Sequence, residues 1–250
     1  MARRRTPRQM TVLVLLAGLA VAVPGSLAAL PAVFEHYGHY QDGHHTGYWV
    51  AALASADAED RRHATSALGL MGADAAEAVP ALAAVLADDP DWETRARAAL
   101  ALAQIGPAAR EAVPALARAL ADDDRFVRMN AANALSRLGT DARPAVPALI
   151  EALRAERNRT NVGTFPCTIQ QVAALALGRA SAGTADAVPA LMAALEDPRA
   201  MGMRRFAARA LGEVGPEARP AVPLLRALLA DDLAEVREAA EDALRKIEGN

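Results

Sequence analysis

The stretch of sequence that decides the fold runs from Ala112 to Gly139 and reads AVPALARALADDDRFVRMNAANALSRLG. An apolar segment that starts at Val-Pro is followed by an acidic break and by a second apolar segment that ends at glycine. Proline is favoured in the first turn of a helix, where its missing N–H would have no partner, and glycine is favoured just beyond a helix end. The stretch therefore predicts two helices joined by an acidic turn.

The same pattern recurs along the chain, which indicates an array of repeats. Val-Pro and Ala-Leu both recur in steps of 34, 33, 42 and 34 residues where the two series overlap. The valines are Val79, Val113, Val146, Val188 and Val222; the leucines are Leu68, Leu102, Leu135, Leu177, Leu211 and Leu244. The first unit carries His45-Thr-Gly-Tyr-Trp49 in place of Val-Pro. Since such periods are typical of helix-pair repeats, residues 47–250 are predicted to form an all-α solenoid of six helix pairs.

Each second helix is predicted to bury one face against its neighbours. We number its residues from the leucine of Ala-Leu, which is position 0. Positions −4 and −1 are alanine in all six repeats, and position +3 is apolar in all six. With the leucine they span an arc of about 100°, the width of a buried helix face, which only stacked repeats can cover. Left-handed caps are predicted where glycine ends a second helix, at Gly72, Gly106, Gly139 and Gly215.

These motifs resemble a known repeat family. The order Ala-Val-Pro-Ala-Leu, acidic break, Val-Arg-x-x-Ala-Ala-x-Ala-Leu-Gly-x-x-Gly resembles the short bacterial HEAT-like repeat, also called the phycobilisome-lyase type. Val127-Arg128 and Val236-Arg237 carry the Val-Arg element. The resemblance implies that first helices lie on the convex side of a superhelix and second helices on the concave side. The 42-residue step places an insertion at about 157–166, either a solvated loop or part of a functional face.

The first residues read as an export signal. Four arginines precede an apolar run from Thr11 to Val23, and Ser26-Leu27-Ala28 offers a small-x-small cleavage site. The run is too short to span a bilayer, so residues 1–28 are predicted to be a cleaved signal peptide; the alternative is an uncleaved anchor that extends to about residue 34. Either places the repeats in the periplasm or on the outer face of the cytoplasmic membrane, with membrane contact only through this segment. The arginines are Arg3, Arg4, Arg5 and Arg8.

Two sets of side chains on the second helices are predicted to have a structural or binding role. Position −7 lies about 20° from the core leucine, so its side chains should pack their stems along the core and reach the acids between repeats. The resemblance implies a structural ladder there, with ligand binding as the alternative. The ladder residues are Arg61, Arg95, Arg128, Gln170, Arg204 and Arg237.

The second set comes from positions −6, −2 and +1, which lie opposite the buried arc. Its middle is apolar and its ends carry arginines, as in a groove that binds a protein or peptide. Tight curvature that closes the strip against itself is the alternative. The predicted partner-binding residues are Arg62, Leu100, Met129, Asn133, Gln171, Leu175, Arg205 and Arg209.

A metal site is the alternative function. Residues 29–46 form a histidine- and aromatic-rich linker or cap, in which His36, His39, His44 and His45 accompany Glu35 and Asp42. Imidazole and carboxylate ligands suit Zn²⁺ or Cu²⁺, although the spacing matches no known motif.

Other chemistry finds little support, so a non-catalytic scaffold without a cofactor is predicted. Some proteins of this fold are iron hydroxylases with His-Glu pairs on several second helices, but His63 stands alone here. Others are bilin lyases, for which the sequence has no diagnostic residue. The net charge of −3 gives no general attraction to nucleic acid, and Cys167 has no second cysteine to pair with.

Overall fold

A computed structural model describes residues 45–159, 168–197 and 202–249. Across these ranges the chain forms helices, turns and loops without a β-strand, and the α-helices fall into six consecutive pairs. The first helices are α1 (Thr46–Ala52), α3 (Val79–Asp88), α5 (Val113–Ala119), α7 (Val146–Arg154), α9 (Val188–Glu196) and α11 (Val222–Ala227). The second helices are α2 (Ala58–Met71), α4 (Trp92–Ile105), α6 (Arg125–Leu138), α8 (Ile169–Ala180), α10 (Met203–Val214) and α12 (Ala234–Glu248). The predicted all-α solenoid is confirmed.

The glycines at the ends of the second helices adopt a conformation that the sequence did not predict. Gly106 has φ 73° and ψ −138°, and Gly72, Gly139 and Gly215 lie in the same region. A left-handed α cap needs a ψ near +47°, so that prediction is wrong. The chain instead turns directly into a short 3-10 segment, such as Gly106–Ala112, that leads into the next first helix. Only glycine occupies this backbone region readily. Glycine is therefore still required at these positions, but for the turn into the 3-10 segment and not for a left-handed α cap.

The core runs without interruption through all six repeats. The alanine at position −4 is fully buried in every repeat, and the leucine at position 0 is at most 8% exposed. Each first helix from α3 onward adds a fully buried leucine, in the order Leu82, Leu116, Leu149, Leu191 and Leu225. The buried face predicted from the repeat pattern is confirmed at these positions.

Neighbouring second helices approach one another at backbone distance. A Cβ on Gly178 would lie 2.5 Å from the carbonyl oxygen of Ala210, and one on Gly212 would lie 3.0 Å from the Cα of Ala243. Position +1 of one helix therefore packs against position −1 of the next. The close spacing of this row fits the inner, concave side of a superhelix, where the repeat pattern is expected to place the second helices.

The last repeat ends this small-residue seam with charged side chains. At position −3 the first five repeats carry a fully buried alanine or threonine, whereas the sixth carries the exposed Glu241. At position +1 the same repeat carries the exposed Arg245 where its predecessors have glycine, alanine or serine. The sixth repeat is thus a polar cap.

Residues 58–88 are long and apolar enough to cross a membrane by length and composition alone. In the structure this stretch comprises α2, a 3-10 turn and α3, and Gly72, with φ 57°, interrupts it. Both helices pack against α4, so their apolar character is explained by the core of the repeat array.

Candidate partner-binding surface

The first two side chains of the predicted ladder, Arg61 and Arg95, each bridge two loops. The Arg61 Nη1 donates to the carbonyl of Ser55 in its own repeat at 3.0 Å. Its Nε and Nη2 donate to both carboxylate oxygens of Asp89 in the next repeat, at 2.6 and 2.9 Å. These hydrogen bonds raise the pKa of the Arg61 guanidinium. Arg95 makes the same contacts with Asp122 one repeat later.

The ladder changes its chemistry in the middle of the array. Gln170 replaces arginine in the fourth repeat, and among the described residues it donates only to carbonyls of its own repeat, those of Leu153 and Ala155. Asp197, the acid that an arginine at position 170 would have met, is bound instead by the Arg159 Nη2 at 2.7 Å. Arg159 follows the 3-10 turn Glu156–Asn158 at the start of the insertion. The insertion thus supplies the cation that the repeat lacks.

Arg128 is the only ladder arginine described here that is buried against a neutral acceptor. Its Nε donates to the Oδ1 of Asn158 at 2.9 Å, and its Nη1 donates to the carbonyls of Asp122 and Asp123. Asn158 is fully buried and donates in turn to the carbonyl of Ala152. Burial, reinforced by the charge of Arg157, lowers the pKa of Arg128.

The ladder closes at the C-terminal end. The Arg204 Nη1 lies 3.0 Å from the carboxylate of Asp231, while Arg237 donates to the carbonyls of Asp231 and Asp232 in its own loop. These contacts account for the ladder as a structural device, since the polar groups that they engage belong to the protein itself.

Arg62 was predicted to face a partner, but it joins the first two repeats. Its Nε donates to Asp91 at 2.8 Å, and Asp91 also accepts from the backbone and hydroxyl of Thr94 at the start of α4. Burial alone would raise the pKa of Asp91, but the hydrogen bonds from Arg62 and Thr94 outweigh it and lower the pKa to about 2. The charged form of Asp91 therefore stabilises the folded state.

The stabilisation by the Asp91 carboxylate should be lost over a defined range of acidic pH. The folded pKa of about 2 lies below the ordinary value of 3.8, so the contribution is complete above pH 4 to 5 and is lost as pH falls towards 2. We expect Asp91 to account for about 2 kcal/mol of the free energy of unfolding lost over this range. Urea unfolding between pH 5 and 2 measures it. Asp91→Asn should be less stable at pH 7 and less sensitive to acid; an unchanged slope in that variant would contradict the assignment.

Several residues predicted for the open face lie instead between repeats. Met129 is fully buried, so its prediction as a partner-binding residue is wrong. The amide of Gln171 caps α8 and donates to the carbonyl of Gly202 in the next repeat, and Arg205 is ion-paired with Glu235. The cause is the close approach of the second helices: positions −6 and +1 are open on an isolated helix but are covered by the following repeat.

Positions −2 and +2 form the open surface. Leu100, Asn133 and Leu175 at position −2 are partly exposed, and Arg209 is exposed. Position +2, which was not among the predicted positions, contributes the exposed Arg137 and Arg179. We call these residues the concave strip: Leu100, Asn133, Arg137, Leu175, Arg179 and Arg209.

An aromatic pair lies at the start of α4 and α6. The rings of Trp92 and Phe126 stack with centroids 5.8 Å apart, and the Arg125 guanidinium lies 5.1 Å from the Phe126 centroid. Trp92 is 45% exposed. The two aromatic residues occur at position −10 and position −9 of consecutive repeats, so the sequence itself carries a signal of this pair.

The predicted metal site falls almost entirely on residues that the structure does not describe. His36, His39 and His44 lie outside the described ranges, as do residues 1–28 and residues 160–166 of the insertion. His45 precedes α1 as its N-cap residue and is exposed. Within residues 45–159, 168–197 and 202–249, no group of three or more metal-binding side chains occurs.

The fold and the repeated seam define an α-solenoid repeat protein. The HEAT repeats family matches residues 48–110, 79–161 and 164–245. Because these matches cover most of the chain, the protein belongs to the HEAT-repeat family. No curated protein sequence matches the chain.

Solved structures with the same architecture include natural and engineered proteins. The complex of CpcE and CpcF of phycocyanin lyase from Nostoc sp. PCC7120 is 31% identical, with a TM-score of 0.57 over 81% of this chain and 76% of that chain. An engineered protein is 26% identical, with a TM-score of 0.60 over 82% and 96%. A designed armadillo repeat protein, 20% identical with a TM-score of 0.58 over 80% and 98%, shares the fold.

Proposed function

We propose that this protein is an exported, non-catalytic scaffold that binds a protein or peptide segment on the concave strip. The observation that carries the proposal is the partial exposure of Leu100 and Leu175 on the inner row of helices. Partly exposed apolar side chains beside exposed charged ones are typical of partner-binding surfaces. The ladder side chains do not compete for this role, because the groups that they contact belong to the protein itself.

The geometry of the array also supports binding rather than catalysis. The strip runs across the second helices of repeats 2 to 5, so an extended ligand would contact four repeats at once. The related phycocyanin lyase is a complex of two chains, and by analogy the partner here is another polypeptide. Small side chains at the seam hold the second helices at fixed spacing, which would present the strip in a preorganised form.

Placing carboxylates within the apolar part of the strip should abolish binding. We expect Leu100→Asp with Leu175→Asp to weaken the affinity for peptides selected from a random library at least about a hundredfold, because a buried hot spot would become charged. Titration calorimetry measures the affinity, and circular dichroism should show nearly unchanged helicity and melting temperature, since both leucines are only partly buried.

The matched control is Leu229→Asp, which adds a carboxylate at a leucine that is 45% exposed in the last repeat. This variant should bind as the parent protein does. If the double variant binds equally well, the strip is not the binding face. If the double variant unfolds, the two leucines belong to the core and the surface has been misplaced.

Export is the second part of the proposal, and it rests on the N-terminal sequence. A C-terminal alkaline phosphatase fusion of the full chain should be active in a bacterial host, because that enzyme folds only outside the cytoplasm. The same fusion without residues 1–28 should be inactive. Mass analysis should find a new N-terminus near Ala29 if the segment is cleaved, or an intact N-terminus in the membrane fraction if it is an anchor. Equal activity of both fusions would refute the export signal.

A second candidate function follows from the 31% identity to phycocyanin lyase. A lyase of that type must hold a bilin chromophore, and binding would change the absorption spectrum of the pigment. Titration of the purified protein with a free bilin tests this directly. A saturable spectral shift that survives the Leu100→Asp and Leu175→Asp substitutions would favour the lyase; an unchanged spectrum favours the scaffold.

A further inference from the structure

Three exposed arginines follow the concave strip from the third repeat to the fifth. Arg137, Arg179 and Arg209 lie on the consecutive second helices α6, α8 and α10 and are all exposed. In the described part of the chain none of them forms an ion pair, whereas Arg61, Arg95 and many others do. The Arg179 Nη1 donates to the backbone and hydroxyl oxygens of Ser136, which orients its side chain across the seam.

The charge of this surface is opposite to that of the whole protein. The chain has a net charge of −3, yet on the open positions −9, −5, −2 and +2 of repeats 3 to 5 the sole acid is Glu213. Its carboxylate lies 2.8 Å from the ammonium group of Lys246 and is neutralised by it. Acids gather instead in the loops at the other end of the second helices, as at Asp122, Asp123 and Asp124. The strip residues themselves therefore carry a net positive charge on an acidic protein, which attracts anionic ligands.

Helix dipoles do not account for the three arginines. Arg137 and Arg179 lie in the last turns of their helices, where a cation is favoured by the negative C-terminal end. Arg209, however, lies in the middle of α10, which spans Met203–Val214, and the dipole gives it no such advantage. The three residues share a surface rather than a helix position.

The remaining side chains of the strip suit an extended peptide rather than a simple anion. Leu100 and Leu175 offer apolar contacts, and Asn133 lies between them with an amide that can both donate to and accept from a peptide backbone. Packed helices lie about 8–10 Å apart, and a polyproline II segment presents the same face about every 9 Å, since it has three residues per turn. Every third residue of such a segment would then lie opposite the next repeat of the array.

We infer that the ligand is an extended acidic polypeptide segment whose carboxylates, at every third residue, meet Arg137, Arg179 and Arg209. This inference rests on the function proposed above and specifies its partner. The apolar residues of the segment contact Leu100 and Leu175, and Asn133 pairs with its backbone. Basic segments are repelled by the same three arginines.

Three synthetic peptides test the inference: Glu-Pro-Leu repeated four times, and the matched peptides with Gln or Lys in place of Glu. Fluorescence anisotropy with the full-length protein should give the tightest binding for the Glu peptide, weaker binding for Gln and none for Lys. The affinity for the Glu peptide should fall as salt rises. Substitution of the three arginines by glutamate should weaken it at least about tenfold and should restore binding of the Lys peptide.

The control variant carries glutamate in place of three exposed arginines that are not part of the strip: Arg110, Arg118 and Arg154. This variant should bind the Glu peptide as the parent protein does. If the Glu and Gln peptides bind equally, and only Leu100→Asp with Leu175→Asp abolishes binding, the acidic ligand is refuted while the scaffold function stands. If no peptide binds and the leucine substitutions have no effect with any ligand, both proposals fail.

Discussion

Gly178→Ala is expected to be among the most damaging single substitutions in this protein. Within a helix, alanine is ordinarily favoured over glycine by about 1 kcal/mol. Here the added Cβ would lie 2.5 Å from the carbonyl oxygen and 2.6 Å from the Cα of Ala210, and these backbone atoms cannot rotate away. We expect a net loss of about 3 kcal/mol in the free energy of unfolding, as is typical of overpacked cores.

The way in which this variant unfolds should be as informative as the loss itself. A repeat array is stabilised by contacts between neighbours, so a defect between α8 and α10 weakens the link between repeats 1–4 and repeats 5–6. Urea denaturation followed by circular dichroism should show a broader or two-step transition. Gly202→Ala is the control, because its Cβ would meet only the Nε2 of the flexible Gln171. Equal stability of both variants would show that the seam is looser than the distances indicate.

Asn158→Ala should have a comparable effect through a different mechanism. The substitution removes the acceptor of the buried Arg128 Nε and the donor to the carbonyl of Ala152. A buried guanidinium that loses a partner is costly, so we expect a loss of about 3 kcal/mol. Thermal unfolding measures it. Asn133→Ala is the control, since Asn133 is partly exposed; a similar loss in both would argue against a special role for the Arg128 contact.

The fold and most of the core could be predicted because they repeat. Val-Pro, Ala-Leu and the alanines at positions −4 and −1 occur often enough to establish the period, and the buried side follows from helix geometry. The glycine caps were predicted only in part: sequence shows that glycine is needed, but the value of ψ depends on the 3-10 turn that follows.

The candidate surface was harder to predict, because its boundary is set by the neighbouring repeat. An angle computed on one helix places Met129 in solvent, whereas the next helix covers it completely. The small residues at position −3, from Thr65 to Ala208, indicate in the sequence that neighbouring second helices pack closely there. Asn158 and Arg159 could not be found in this way, since they lie in an insertion that the repeat numbering does not reach.

The exposed Glu241 and Arg245 constrain how such a protein can change its length over evolution. A duplicated repeat placed between two existing repeats would pack against small side chains of the preceding repeat and against alanines of the following one. The same unit added after α12 would have to bury a carboxylate and a guanidinium against an alanine surface, which is strongly unfavourable. A duplicated repeat should therefore be tolerated between two existing repeats and not directly after α12.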